Sequence, residues 1–327
     1  MNQKLVIGLD IGGTKIDVGI IEASGKILRK IRILTNIHEG LDAIVQRIYD
    51  AIEKITDGIK TPIRGIGIGA PGQVDVKNGI VLFAPNLGWK NINLKKIIYE
   101  RYRLPVEIEN DANCGALAEA KLGAGSGANS LIWITVGTGI GGGIIIDGKL
   151  MQGAGFAGGE IGHMTMKKNG LVCGCGNKGC LETLSAGPAI IHQIRKKIIS
   201  GTQTNILKMV DNDLNKITVG ITSEAADMGD NLSLQILNRA GEYLGIGVAN
   251  LVNILNPEAI ILGGGVMEAA GRHLLKIIKD TVQNRALSQA KDNLRIELAK
   301  LGSDAGLIGA SLLICNRSQA IINGLQQ

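Results

Sequence analysis

The sequence predicts an α/β protein of two domains. Three observations carry that expectation. Short apolar runs of strand length alternate with amphipathic helical stretches along the chain, the pattern of sheets covered by helices. One strand–turn–strand pattern occurs twice, as IGLDIGGTKIDVGII from Ile7 and as WITVGTGIGGGIII from Trp133. The chain has 327 residues, 45% of them apolar, enough for two ordinary cores.

Residues 4–10 (KLVIGLD) read as a buried strand ending in an acid, and residues 16–21 (IDVGII) return as a second strand. Gly12 and Gly13 at the tip supply the positive φ angles of a tight hairpin and leave N–H groups uncovered. Both a plain hairpin and an anion-binding nest suit that turn. Residues 39–55 form an amphipathic helix, with Leu41, Ile44, Val45, Ile48, Ile52 and Ile55 on one stripe. Residues 63–69 (IRGIGIG) are a strand with glycine at alternate positions. It turns at Gly72, where a simple turn and a close approach of backbone to a ligand are both open. Residues 86–89 (NLGW) are a loop with Asn86 as an exposed polar candidate, and residues 106–109 are a short strand. A helix then opens at Asn110-Asp111, where either residue could be only the N-cap.

The second hairpin follows: residues 130–136, a turn carrying Gly137, Thr138 and Gly139, and a return through residues 144–146. Its likeness to the first suggests an internal duplication, with two Gly/Thr turns able to clamp one polyphosphate between them. From residue 185 the chain is helical, residues 200–216 are polar and irregular, and residues 231–255 are a long helix ended by Pro257. A strand at residues 259–262 runs into Gly263, Gly264 and Gly265 before a helix from Val266, an arrangement that brings backbone close to a flat or phosphate-bearing ligand. A last strand at residues 294–298 and a closing helix at residues 304–315 complete the chain.

Two chemistries lie between Gly153 and Glu182. Glu160 and His163 sit close together in a glycine-rich segment, and Cys173, Cys175 and Cys180 follow in a C-x-C-x4-C spacing. With His163 ten residues upstream, the set suits tetrahedral zinc. A disulfide or plain buried thiols are the alternatives. Clustered cysteines without a secretory signal favour the metal and a reducing cytoplasm. Cys114 and Cys315 read as ordinary buried thiols. No apolar run is long enough to suggest a membrane span. The net charge of +6 is dispersed, and two Phe, two Trp and four Tyr give no stacking platform, so nucleic acid is not an expected partner. A mild positive bias suits an anionic small substrate such as a nucleotide.

Taken together, DIGGTK at 10–15, PGQVD at 71–75, ENDANCGALAE at 109–119, GTGIGGG at 137–143, GEIGHM at 159–164, CGCGNKGCLE at 173–182 and GGGV at 263–266 resemble the ROK family of sugar kinases and repressors over essentially the whole chain. NLGW followed by ENDAN is most similar to the bacterial ATP-dependent glucokinases of that family. The resemblance implies a two-domain actin/Hsp70/hexokinase-like (ribonuclease H-like) fold with the active site in the cleft. It implies a small domain of residues 1–115 completed by a C-terminal helix at 303–320, and a large domain of residues 116–302. It implies ATP-dependent phosphorylation of glucose to glucose 6-phosphate. By the resemblance, Asp111 is the catalytic base, and Gly72, Asn110, Glu160, His163 and Glu182 contact the sugar; Asn86 is a further candidate for substrate binding, beside Asp111 itself. Gly12, Gly13, Thr14 and Lys15, with Gly137, Thr138 and Gly139, hold the phosphates. Gly264 and Gly265 flank the adenosine, and Asp10 is associated with Mg2+. A homo-oligomer, dimer or tetramer, is the family's habit.

These assignments agree with the chemistry. A hexose is recognised by Asn, Glu and His side chains that donate and accept, and a carboxylate can take its hydroxyl proton. At a helix N-terminus Asp111 is expected to have a depressed pKa, tolerable where positioning and charge neutralisation dominate phosphoryl transfer. Zinc with four protein ligands is structural, and His163 can bind it through one ring nitrogen while the other faces the sugar. The rivals are a kinase for N-acetylmannosamine, N-acetylglucosamine, fructose or allose, and a non-catalytic sugar-sensing regulator. Asp10 comes so early that no winged-helix domain is expected before it.

Overall fold

A computed structural model describes residues 5–324, with side chains as far as Cys315; Lys4, expected to open the first strand, lies outside the described residues. Strands β1 (Leu5–Ile11) and β2 (Lys15–Glu22) form the first hairpin, and β3 (Ile27–Leu34) extends it antiparallel. Helix α1 (Gly40–Thr56) then carries the chain to β4 (Ile63–Ala70), which lies parallel to β1. Strands β5 (Gln73–Asp75), β6 (Ile80–Ala84) and β7 (Trp89–Ile92) make a separate three-stranded sheet. The expected loop at residues 86–89 is therefore a short 3-10 turn leading into β7. Helix α2 (Leu94–Tyr102), β8 (Val106–Asn110) and α3 (Asp111–Leu122) follow. The first large sheet has the order β3-β2-β1-β4-β8.

The second half begins with β9 (Leu131–Val136), β10 (Ile140–Ile146) and β11 (Lys149–Leu150). Helices α4 (Glu182–Ser185), α5 (Gly187–Ile199), α6 (Ile206–Met209), α7 (Val219–Asp227) and α8 (Asn231–Leu255) precede β12 (Ala259–Gly263). After it come α9 (Gly265–Arg285), α10 (Ser288–Lys291), β13 (Arg295–Leu298) and α11 (Ala305–Gly324). The stretch at residues 200–216, expected to be irregular, holds α6. This second sheet has the order β11-β10-β9-β12-β13. In both sheets an antiparallel hairpin is followed by two parallel strands, β4 and β8 in one and β12 and β13 in the other. The duplication suggested by the two hairpins extends to the topology of the sheets. Each has its own buried apolar cluster.

Glycine decides how closely α11 lies on the first sheet. Gly19, Gly8 and Gly67 are cross-strand neighbours on β2, β1 and β4. A Cβ on Gly67 would stand 1.8 Å from the Ala310 carbonyl oxygen, and one on Gly8 would stand 2.7 Å from that of Leu307. The alternate glycines seen in residues 63–69 thus leave a flat track for a helix. Side chains alternate along strands, so two residues on, the same face carries Asp17, Asp10, Gly69 and Glu109 in a row. The sheet places its acids where the glycine track ends, and the first turn of α11 covers them: a Cβ on Gly306 would lie 2.6 Å from Asp10 Oδ2. Helix α3 packs against α11 on one side and β9 and β10 on the other, so it joins the two halves.

Candidate functional site

The N-terminus of α3 is tied down on three sides. Asn110 caps the helix, its Oδ1 accepting from the Asn113 N–H at 3.1 Å, while its Nδ2 donates to the Gly72 carbonyl at 2.9 Å. The N-cap reading holds for Asn110, and the cap bond also fixes its amide toward Gly72. Gly72 has φ 80°, and a Cβ there would stand 2.2 Å from the Phe83 carbonyl oxygen, so glycine alone fits. Glu109, 4% exposed, accepts from the Asn110 N–H at 2.8 Å and from Asn113 Nδ2 at 3.0 Å. Gln152, from the second half, donates to the other oxygen of Glu109, and Gln73 donates to the Gly155 carbonyl.

Asp111 is the first residue of α3, and its Oδ1 accepts from the Ala112 N–H at 2.8 Å. The expected depression of its pKa does not occur. Burial pushes the carboxyl up to about 6; the Ala112 N–H pulls it back and the Glu160 charge adds to the rise. A helix terminus contributes roughly 0.3–1 kcal/mol, less than one pKa unit, whereas burial can move a carboxyl by several units. Desolvation wins.

Asp10 rises further, to about 7, through burial and through the charges of Asp111 and Asp17, against the pull of Lys15 and Lys30. Asp17 is pushed up by burial too, but bonds from Arg32 at 2.7 and 2.8 Å and from Lys30 at 3.1 Å hold it below the ordinary carboxylate range. Lys30 and Arg32 are therefore engaged by Asp17, and Asp10 forms no ion pair among the described residues. A half-buried, uncompensated oxygen donor beside two other acids suits a divalent cation.

The hairpin tips lie at corresponding ends of β1 and β9. In the first, Gly12 N–H donates to the Lys15 carbonyl at 2.9 Å and Thr35 Oγ1 to the Gly12 carbonyl at 2.7 Å, leaving Thr14 and Lys15 exposed. Asn86 sits against Gly13; its carbonyl oxygen would be 3.4 Å from a Cβ on Gly13. In the second, Gly137 N–H donates to the Gly139 carbonyl at 2.8 Å and Thr138 is exposed. Gly264, with φ 87°, caps α9, and a Cβ there would be 2.6 Å from the Val136 carbonyl oxygen. The second turn and the start of α9 thus adjoin, while Gly265 has open space beside it.

The ligand atoms of His163, Cys173, Cys175 and Cys180 all lie within 4.8 Å of one another. Cys175 Sγ and Cys180 Sγ are 3.7 Å apart, as are Cys173 Sγ and His163 Nδ1. Zinc–sulfur bonds of about 2.3 Å and zinc–nitrogen bonds of about 2.0 Å give tetrahedral edges of about 3.5–3.8 Å, whereas a disulfide needs about 2.05 Å. The donor set fits zinc and not a disulfide. His163 turns Nδ1 to this cluster and Nε2 to Glu160, 3.8 Å from its Oε2. Glu182 joins the cluster to the second turn: the Cys173 thiol lies 3.6 Å from its Oε1, and its Oε2 accepts from the Ile140 N–H at 2.9 Å. Of the two remaining cysteines, Cys114 is buried and Cys315 half-buried.

Sequence reasoning missed Glu109, Gln152 and the Asp17 pairs. Only the acid at the start of ENDAN could have pointed to the first, and the others depend on contacts between distant segments.

The model of the ROK family matches residues 6–317. A glucokinase of Halalkalibacterium halodurans is 37% identical over 328 residues, covering 99% of each chain. A xylose repressor of Caldicellulosiruptor bescii is 36% identical over 312 residues, 94% of this chain and 77% of the repressor. Among solved structures, a ROK family glucokinase from Streptomyces griseus in complex with glucose and AMPPNP superposes with a TM-score of 0.84 at 36% identity, over 94% of this chain and 98% of that one.

Proposed function

This chain belongs to the ROK family, and we propose that it is a glucokinase that moves the γ-phosphoryl group of ATP to the 6-hydroxyl of glucose. It is an ATP-dependent phosphotransferase of the two-domain, actin-like fold. The observation that carries the reading is Asp111, a carboxylate raised to about 6 at the start of α3, within reach of the Glu160 charge. A base with a pKa just below working pH is ionised yet still basic enough to take a hydroxyl proton.

Asp111 takes the proton of the 6-hydroxyl as that oxygen bonds to phosphorus and ADP leaves. Asn110, held by Gly72, orients the sugar from one side; Glu160, His163 and Glu182 do so from the other, with Asn86 at the rim. The turns at Gly12, Gly13, Thr14 and Lys15 and at Gly137, Thr138 and Gly139 take the phosphates, and Gly264 and Gly265 the adenosine. Asp10 would hold Mg2+, which when bound with ATP neutralises phosphate charge. His163, Cys173, Cys175 and Cys180 would hold a zinc ion whose closed shell fixes the His163 ring.

The small domain comprises residues 1–115 with the C-terminal helix, and the large domain residues 116–302. Among the described residues no helix is long and apolar enough to cross a membrane. None of the five cysteines is in a disulfide, which supports a cytoplasmic setting, and a homo-oligomer is the expected assembly. Coupled ADP release from ATP-Mg2+ with glucose, mannose, fructose, allose and the two N-acetylated hexosamines tests the substrate. Turnover highest on glucose supports the proposal; turnover confined to another sugar would replace glucose and keep the mechanism.

A further inference from the structure

Glu119 has none of its surface exposed and forms no ion pair among the described residues. It lies on α3 eight residues beyond Asp111, about 12 Å along the helix at ~1.5 Å per residue. A buried carboxylate persists only where hydrogen bonds replace water, and here backbone N–H groups supply them. Ala124 N–H donates to Oε2 at 2.7 Å, and Leu301 and Lys300 N–H donate to Oε1 at 2.8 and 3.0 Å. A Cβ on Gly123 would come within 1.9 Å of Oε2, so the neighbouring chain is shaped around this carboxylate.

The donors come from two particular places. Residues 123–130 lead from α3 to β9 of the second sheet, and residues 299–304 lead from β13 back to α11, which covers the first sheet. With α3, in which the proposed small domain ends, these are the two crossings of the chain between the two large sheets, and one carboxylate binds both. Rotation of one sheet against the other bends the chain along α3 and its continuation on one side and at residues 299–304 on the other. We infer that Glu119 is the pin of the interdomain hinge, a positioning residue that holds both crossings together. It thereby sets how α3, with Asp111 at its far end, is presented when the halves close on the sugar. The inference rests on the proposed glucokinase activity for its kinetic readout only.

The test compares Glu119→Gln with Asp230→Asn. Asp230 is also buried and also accepts backbone N–H bonds, from Ser233 at 2.9 Å and Asn205 at 2.8 Å, but it caps α8 away from the crossings. In Glu119→Gln an amide NH2 faces an N–H donor at one crossing. Mutating hinge residues tends to move kcat and KM together. The expected result is a change of about tenfold or more in kcat/KM for glucose, carried in both constants, and loss of the glucose-induced contraction seen by solution scattering. Asp230→Asn should lose thermal stability and keep both readouts. In the wild-type chain, hydrogen exchange at the amides of Ala124, Lys300 and Leu301 should be slow with and without glucose. Glu119→Gln that contracts normally and keeps both constants within twofold would overturn the pin, and so would fast or glucose-dependent exchange at those amides. A wild-type chain without turnover on glucose would fail the activity instead, and the exchange measured without sugar would still decide the pin.

Discussion

Acidification should switch off Asp111 at a pH where ordinary carboxylates are still ionised. The group must be deprotonated to accept the hydroxyl proton, and burial with the Glu160 charge raises it to about 6. At pH 7 about 91% of it is then ionised and at pH 5 about 9%, so kcat/KM should fall about tenfold between them. A carboxyl at the ordinary value of 3.8 would lose only about 6% of its ionised form over that interval. The loss would not come from unfolding by this group. Because its folded pKa is raised, protonation stabilises the fold, fully below about 3.8 and decreasingly as pH rises through about 6. The assay is coupled ADP release at low glucose and saturating ATP-Mg2+ from pH 5 to 8, with circular dichroism as a check on folding. Glu160→Gln removes one of the charges that raise Asp111 and should shift the acid limb to lower pH. A profile flat to pH 5 would refute the reasoning, since it would mean that burial does not set the basicity of this group.

Two further perturbations probe the frame around it. Gly67→Ala places a methyl group 1.8 Å from the Ala310 carbonyl oxygen, so α11 must move by about 1.5 Å, at a cost of about 3 kcal/mol. Urea unfolding should show it, and a variant within about 0.5 kcal/mol of wild type would mean that α11 does not depend on the glycine track. Cys175→Ser removes one ligand of the Cys3His set and should lower zinc content by mass spectrometry to near background while raising KM for glucose. Zinc-free protein with unchanged sugar affinity would separate the metal from the sugar site.

How much of this was legible beforehand depends on range. Local periodicity revealed the long helix α8 at its observed bounds, Asn231–Leu255, and the paired Gly/Thr hairpins anticipated two sheets of matching topology. The Cys3His set was readable because its members lie within eighteen residues of sequence. The three-stranded sheet β5–β7 escaped notice because its strands are short and Asn86 and Gly88 interrupt the pattern. In β3, Arg29, Lys30 and Arg32 hide a strand whose charged residues reach Asp17, Asp304 and the end of α1. The pKa of Asp111 was misjudged because helix-end electrostatics is local and readable, whereas burial is a property of the assembled cleft. Glu119 could not be found from spacing, since its partners at 300 and 301 are more than 180 residues away.

The central claim is that Asp111 is the base of an ATP-dependent glucose kinase. The most direct test measures turnover and glucose binding together for Asp111→Ala, by coupled assay and by calorimetry. The expected result is a fall in kcat of about 10²–10⁴, the usual contribution of a general base, with glucose still bound and the fold intact. A variant that turns over glucose within a few-fold of wild type would contradict it, because Asp111 could then not be the group that takes the proton.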